Sequence, residues 1–580
     1  MGQYFLAELE FKRVQTFLFS VPYLKEMIGA NTLLGETIRG VWSDKHKAFM
    51  NYSSKDESDE KQFSKLDVAN RDFDVDNLPA LAQCCGSQFP KVDKIAERNN
   101  YKELSQIISN NKKEDEFYYK DSYQDDVINI AINTGILVRD GGHFEAIFPD
   151  EANATKFITL ASGLLSRKLP GLILESRCNP LKETEGKLKR DRSYKNEESF
   201  NSECIFDLPQ FEDCELSGKE PAVYFEKNKD KMIGESSLAK QNAANIFYDK
   251  KSKDVLGILN KSYVEDYNSP EDFSDIGKIS EGHIAVIHAD GNDVGKRLQS
   301  LRKKYEDGDY LDEWLYRETF FFSIRSGVRT AFLKSIKYSI KELKSVKNKN
   351  YLLMPLMLGG DDILIVTPAS IAFDFVSVLA NNIKASTSCI PSKEGEQKPL
   401  TIGAGILICG SSFPFYKAYE LSEELATSAK KLKATCPDHS YVDWEILSES
   451  WHSGIAETRA KQYVSRKNNE TLIFSGKPYV ISTSKLDSVT LEKLLEAAKA
   501  LENVTARNQF KYLYERIPDG RHKLDLLYEE LSDDMSSLLE KELPFDGFKG
   551  YDKIDDNVFM TRIGDLIEIM ETRRRGGKNE

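Results

Sequence analysis

The chain has 580 residues, 40% of them apolar and 11% aromatic, enough for three or four domains that each bury a core. A formal net charge of −13 excludes a nonspecific grip on nucleic acid by the whole surface, so any such contact must be local or shared with partner subunits. The start MGQYFL reads as neither signal peptide nor myristoylation signal, the eight cysteines are scattered, and no apolar run approaches the roughly 18 residues of a membrane span. A cytoplasmic protein with no membrane partner is expected.

Residues 3–10, QYFLAELE, predict a strand. VQTFLFSVPYLKEMIGANTLLGETIRGVW then carries apolar positions at helical spacing, interrupted at Pro22. Residues 51–125 are polar and weakly periodic, which predicts insertions and loops around short helices. Order returns at Ile128 with INIAINTGILVRDGGHFEAIFP, a helix-like ATKFITLASGLLSRKL and the strand GLILES. Cys178, Cys204 and Cys214 follow at wide spacing without a CxxC pair, a weak zinc pattern for which buried thiols are the ordinary alternative.

Residues 282–298, GHIAVIHADGNDVGKRL, run an apolar strand into Asp290, then a Gly-Asn-Asp-Val-Gly turn and a basic pair. Backbone amides from Gly291 to Gly295, with Asn292, Asp293 and the following Lys296, form a candidate phosphate cradle that a helix start would strengthen. A long helix is expected over 311–345. Then Tyr351 to Thr367, YLLMPLMLGGDDILIVT, reads as a hairpin with Gly359-Gly360-Asp361-Asp362 at its tip. Both arms are apolar throughout rather than alternating, so both faces of this sheet should be covered.

Adjacent carboxylates at the tip of a buried hairpin are costly unless a positive charge sits on them. A hard divalent cation held with nucleotide phosphates is one answer, with Gly359 and Gly360 leaving room for the nucleotide; an ordinary Gly-Asp turn is the other. The Asp290 turn favours the first. Aspartates from a central strand and a neighbouring hairpin can share a pair of metal ions, the arrangement that activates a hydroxyl and stabilises departing pyrophosphate. Lys430, with Lys431 and Lys433, closes a later helix and is either a triphosphate contact or a solvated C-terminal turn.

Gly141-Gly142-His143-Phe144 lies 218 residues before the GGDD and has the same flanking pattern. The fold expected is therefore α+β, with two ferredoxin-like (βαββαβ) palm domains. In the first, His143 and Phe144 replace the aspartates; His143 is a structural residue or, less simply, a metal ligand. The expected domains are a degenerate palm over 1–177 with an insertion at about 45–127, a cysteine-containing linker over 178–278, the catalytic palm with GGDD over 279–450, and a mostly helical domain over 451–580.

These features resemble the large palm-domain subunit of type III CRISPR effector complexes, the family that makes cyclic oligoadenylates. The likeness rests on two palms of which the second keeps GGDD, the aspartate turn before it, the cysteine-containing insertion and the helical C-terminus. It is supported by VQTFLFSVPYLKEMIGANTLL, similar to the family's first-palm helix. The resemblance implies ATP as substrate and Mg²⁺ or Mn²⁺ held by Asp290 and Asp361 with Asp362. It also implies partner effector subunits with guide and target RNA. Two departures stand out. The chain contains no His-Asp dipeptide, so the DNase of many members is not expected, and the family's usual Asp-Gly-Asp-Asn is here Asp290-Gly291-Asn292-Asp293. Three other readings stay open: another cyclase, although GGDEF or GGEEF is the usual diguanylate signature; a scaffold that binds nucleotide without turnover; and transfer of ATP to a different acceptor.

Overall fold

The computed structural model of the chain describes residues 3–40, 77–91, 95–114, 127–140, 142–184, 187–191, 197–201, 212–227, 230–249, 269–305, 308–343, 353–388, 390–391, 396–447, 454–467, 469–482, 489–502, 507–545 and 550–575. They form two compact units, one of Met1–Asp266 with Lys296–Ser323, the other of Tyr267–Gly295 with Ile324–Glu580.

The first unit is built on β1 (Gln3–Lys12), α1 (Leu24–Arg39), β2 (Ile136–Asp140), β3 (His143–Phe148), α2 (Glu151–Lys168) and β4 (Ile173–Thr184). Its sheet runs β2-β3-β1-β4, antiparallel throughout, the strand order of a ferredoxin-like βαββαβ unit. Alternation along β1 explains the layering: Phe5, Ala7, Leu9 and Phe11 are buried in one core with residues of α1 and α2. Phe144 is buried 5.6 Å from the Phe157 ring, and His143 is exposed at the hairpin end, where neighbouring Asp140 pairs with Arg39. Gly141 lies outside the described residues.

β4 does not stop at residue 177. It continues to Thr184, then β5 (Lys187–Arg190) pairs with it, so the boundary expected at 177/178 falls inside a strand. Cys178 sits opposite Ala7 in that strand and is part of the sheet's core, where burial pushes its thiol up to about 11. Cys214 belongs to a separate small core with Val21, Leu216 and Ile233, and its Sγ lies 3.4 Å from Ser237 Oγ. Of the three cysteines in the weak zinc reading, the two described ones are in different cores, and the third, Cys204, lies outside the described residues.

The second unit repeats the plan. After β6 (Glu197–Asn201), β7 (Ala222–Glu226), β8 (Lys231–Gly234) and α3 (Glu235–Tyr248) of the first unit comes β9 (His283–Gly291) of the second; α4 (Val294–Tyr305) from Lys296 on and α5 (Tyr310–Leu343) as far as Ser323 are counted with the first unit, and α5 from Ile324 on with the second. They are followed by β10 (Met354–Leu358), β11 (Ile363–Pro368), α6 (Ala372–Ser386), β12 (Ile402–Gly410), α7 (Phe415–Ala429) and β13 (Ser440–Ile446). The sheet order is β10-β11-β9-β12-β13, closed by β16 (Tyr479–Ile481). β11 and all but the end of β12 are buried, as their continuous apolar runs require.

α7 lies directly on β12 because two glycines clear its path. A Cβ on Gly405 would stand 2.1 Å from the Ser422 carbonyl oxygen, and one on Gly403 would stand 2.5 Å from Lys430 Cγ.

The C-terminal region is helical, with α8 (Leu491–Glu502), α9 (Arg507–Arg516), α10 (Arg521–Glu529), α11 (Asp533–Glu542) and α12 (Ile563–Arg574). It also holds a four-stranded sheet of β14 (Val464–Lys467), β15 (Glu470–Ile473), β18 (Val558–Met560) and β17 (Asp552–Asp555). Those strands are too short to show an alternation pattern. The buried Lys477 joins this region to the palm, lying 5.0 Å from the Trp444 ring and 2.8 Å from Glu568 Oε2. No described helix is long and apolar enough to cross a membrane.

Gly405→Ala should lower the denaturant midpoint of the second unit, at or above the upper end of the roughly 1–3 kcal/mol typical of overpacking, because the obstructing atoms are helix backbone. Equilibrium unfolding followed by tryptophan fluorescence measures it.

Candidate active site

β9 is the central strand, with β11 on one side and β12 on the other. Its last pairs, Ala289 with Ile363 and Gly291 with Ile402, bring the Asp290 turn beside the GGDD hairpin. The Gly291 amide donates to the Asp361 carbonyl at 3.2 Å. A Cβ on Gly291 would stand 2.8 Å from the Asp361 Cβ, so the close approach needs glycine there. The hairpin tip closes by a 2.9 Å bond from the Gly359 amide to the Asp362 carbonyl, with Gly360 at φ +94°. No atom lies within 4 Å of where a Gly360 Cβ would be, leaving open space at the tip.

The three carboxylates have different surroundings. Asp290 pairs with Lys430, which reaches it over Gly403, its partner across the sheet. Asp362 Oδ1 lies 2.8 Å from Nε2 of the buried His288. Asp361 is half-buried, and its carboxyl is pushed up to about 6, first by burial, then by the negative charges of Asp290 and Asp362, with Lys430 acting in opposition. Two strands thus hold like charges together against their mutual repulsion.

Asn292 is 5% exposed and faces inward. Its Nδ2 donates to Thr401 Oγ1 at 3.0 Å and to the His439 carbonyl at 3.3 Å, while its amide donates to the Thr401 carbonyl at 2.8 Å. The Gly291 and Asn292 amides are therefore committed to holding the turn. This corrects the expectation that they cradle phosphate; the start of α4 at Val294–Gly295 remains as the backbone candidate. Asp293 takes a left-handed φ of +61° and pairs with Lys433. Gly295 and Lys296 are exposed on α4. Lys430 and Lys433 lie in the helical turn that follows α7, one pairing with each end of the Asp290–Asp293 turn.

Sequence reading passed over His288, Gly403 and Gly405. The two glycines left a signal in TIGAGIL, two gaps at strand spacing on one face. His288 left none, because a lone histidine in an apolar strand has no local pattern.

The donor set suits a hard cation. No three acidic or histidine side chains among the described residues form a complete cage, so Asp290 and Asp361 would need substrate oxygens to complete the coordination, as is usual for nucleotide-bound magnesium. The raised Asp361 carboxyl gives the same picture, since negative charge is in excess where a cation would neutralise it. A carboxyl pushed up on folding takes its proton more readily in the folded chain, so its contribution to stability is present at low pH and lost as pH rises through about 6. In chelator, Asp361→Asn should therefore be more stable than the parent chain at pH 7–8, with the advantage shrinking as pH falls through about 6; melting across that range checks it.

No curated protein matches the chain. Solved structures resembling it include Csm1 in T. onnurineus, with TM-score 0.38 and 12% identity over 99% of this chain and 70% of that one. Others are the Csm1-Csm4 cassette in complex with cA4, with TM-score 0.37 and 12% identity over 99% and 70%, and the cassette in complex with one ATP, with TM-score 0.35 and 12% identity over 98% and 70%. A family model described as Cas10/Cmr2, second palm domain, matches residues 283–435, which run from the start of β9 through Asp290 and the GGDD hairpin to the lysine turn after α7. Residues 283–435 are thus similar to the second palm domain of Cas10/Cmr2.

Proposed function

We propose that this chain is a metal-dependent nucleotidyltransferase that converts ATP to cyclic oligoadenylates within a type III CRISPR effector assembly. The observation that carries the reading is the meeting of Asp290 and Asp361 across β9 and β11, with no side chain between them at Gly291. The family match at 283–435 supports it.

Bound Mg²⁺ or Mn²⁺ would supply a lowered pKa for a ribose hydroxyl and neutralisation of the departing pyrophosphate. Asp290 and Asp361 are the residues that would hold it, with Asp362 beside them. That hydroxyl gives up its proton to water, and its oxygen forms a bond to the α-phosphorus of a second ATP while the bond to pyrophosphate breaks. Lys430 and Lys433 are placed to exchange their aspartate partners for phosphate oxygens, which keeps the lysines oriented before substrate arrives. The open space beside Gly360 leaves room for a nucleoside. Partner subunits, guide RNA and target RNA would control access to this site, a division of labour that the acidic net charge favours.

With ATP and Mg²⁺, Asp290→Ala or Asp361→Ala should each reduce product by about 10²–10³-fold, since each removes charge stabilisation realised in the transition state. Mass spectrometry of the small-molecule fraction measures it, and wild-type product from either variant would contradict the assignment. Lys430→Ala should raise the KM for ATP about tenfold, the loss of one charge-assisted contact; steady-state kinetics against ATP concentration measures it.

A further inference from the structure

The two aspartates of the hairpin are not equivalent. Paired residues in a sheet point to the same face, and side chains alternate along each strand. Leu364 pairs with His288, and Asp362, two positions before Leu364 at the end of the hairpin, comes over the His288 side chain. His288 is 5% exposed, and its Nε2 lies 2.8 Å from Asp362 Oδ1. With its proton on Nε2 the ring donates to the Asp362 carboxylate oxygen, which accepts. The other ring nitrogen, Nδ1, is buried without a hydrogen-bond partner.

That orphaned nitrogen is informative. A buried, unpaired polar atom costs about 1–3 kcal/mol, which an apolar residue like its neighbours Val286 and Ile287 would avoid. Gly405 stands opposite His288 and the Tyr419 ring lies 5.7 Å away, and neither gives Nδ1 a partner. The bond to Asp362 is thus what distinguishes histidine from an apolar residue here.

We propose that His288 is a positioning residue, which fixes the rotamer of Asp362 and so the charge that the hairpin presents to a divalent cation and its nucleotide. Asp361 and Asp290 then act as the primary pair, with Asp362 held in place by the strand beside it. This inference rests on the nucleotidyl-transfer reading.

The test is Mn²⁺ binding to the full chain with a non-hydrolysable ATP analogue, followed by electron paramagnetic resonance, with circular dichroism to confirm folding. His288→Leu should weaken Mn²⁺ binding about 10–100-fold, the usual effect of removing a residue that orients a ligand. His288→Gln, whose side-chain nitrogen reaches to a similar distance, should recover most of that loss. In an Asp362→Asn background, His288→Leu should change Mn²⁺ binding less than twofold, since there is no longer a carboxylate to orient. An unchanged affinity in His288→Leu, or a loss as large with Asp362→Asn as without it, would overturn the proposal. Should His288→Leu fail to fold, Asp362→Asn alone decides: affinity equal to wild type would mean that the ion does not sense the carboxylate His288 holds. A wild-type chain that binds no Mn²⁺ with the analogue and makes no product contradicts the underlying reading and takes this proposal with it. One that does both, but shows additive losses, contradicts only the role of His288.

Discussion

The second palm depends on one close approach, that of Gly291 to Asp361. The amide of Gly291 holds the Asp361 carbonyl at 3.2 Å, and the missing side chain lets the ends of β9 and the hairpin come together. Any Cβ at this position would press on the Asp361 Cβ and separate the strands. Asp290 immediately precedes that glycine, so the same contact sets the spacing between carboxylates from two strands. The strand order makes this possible, because it puts β9 between the hairpin and β12.

Holding like charges together requires compensation nearby, and the fold supplies it from β12 and α7. Gly405 lets α7 lie against the strand, and Gly403 lets Lys430 cross to Asp290. Lys433 pairs with Asp293 at the far side of the turn. The Asp361 carboxyl remains high all the same, with burial and two acidic neighbours outweighing the lysine. A site that keeps negative charge in excess sacrifices some stability, and such perturbed carboxyls concentrate where ions or substrates bind. In the first palm the hairpin end differs: Phe144 is buried and Asp140 has Arg39, and the carboxyl pushed up there, to about 7, is that of Glu8, raised by burial and by Glu145 across from it.

Much of this was legible in the sequence because it is encoded locally. GGDD between apolar runs, an apolar strand ending in Asp290, and the repeat of strand and helix patterns are short-range signals, and the described strands follow them. What escaped notice depends on contacts between distant residues. Gly403 and Gly405 matter because of a helix that arrives later, and His288 because of Asp362, 74 positions away. Asn292 looked like a cradle residue until its amide group proved to be bonded to Thr401 and the His439 carbonyl. That Cys178 and Cys214 belong to different cores could not be read from their spacing. The C-terminal sheet was missed because its strands of three or four residues are shorter than any readable period.

The central claim, that carboxylates from β9 and the β10–β11 hairpin share one divalent-cation site, is tested most directly by a crystal structure of the chain with Mn²⁺ and a non-hydrolysable ATP analogue. The account predicts anomalous Mn²⁺ density about 2.0–2.2 Å from oxygens of both Asp290 and Asp361, with analogue phosphates completing the coordination. Density elsewhere, or on one of these aspartates without the other, would contradict it.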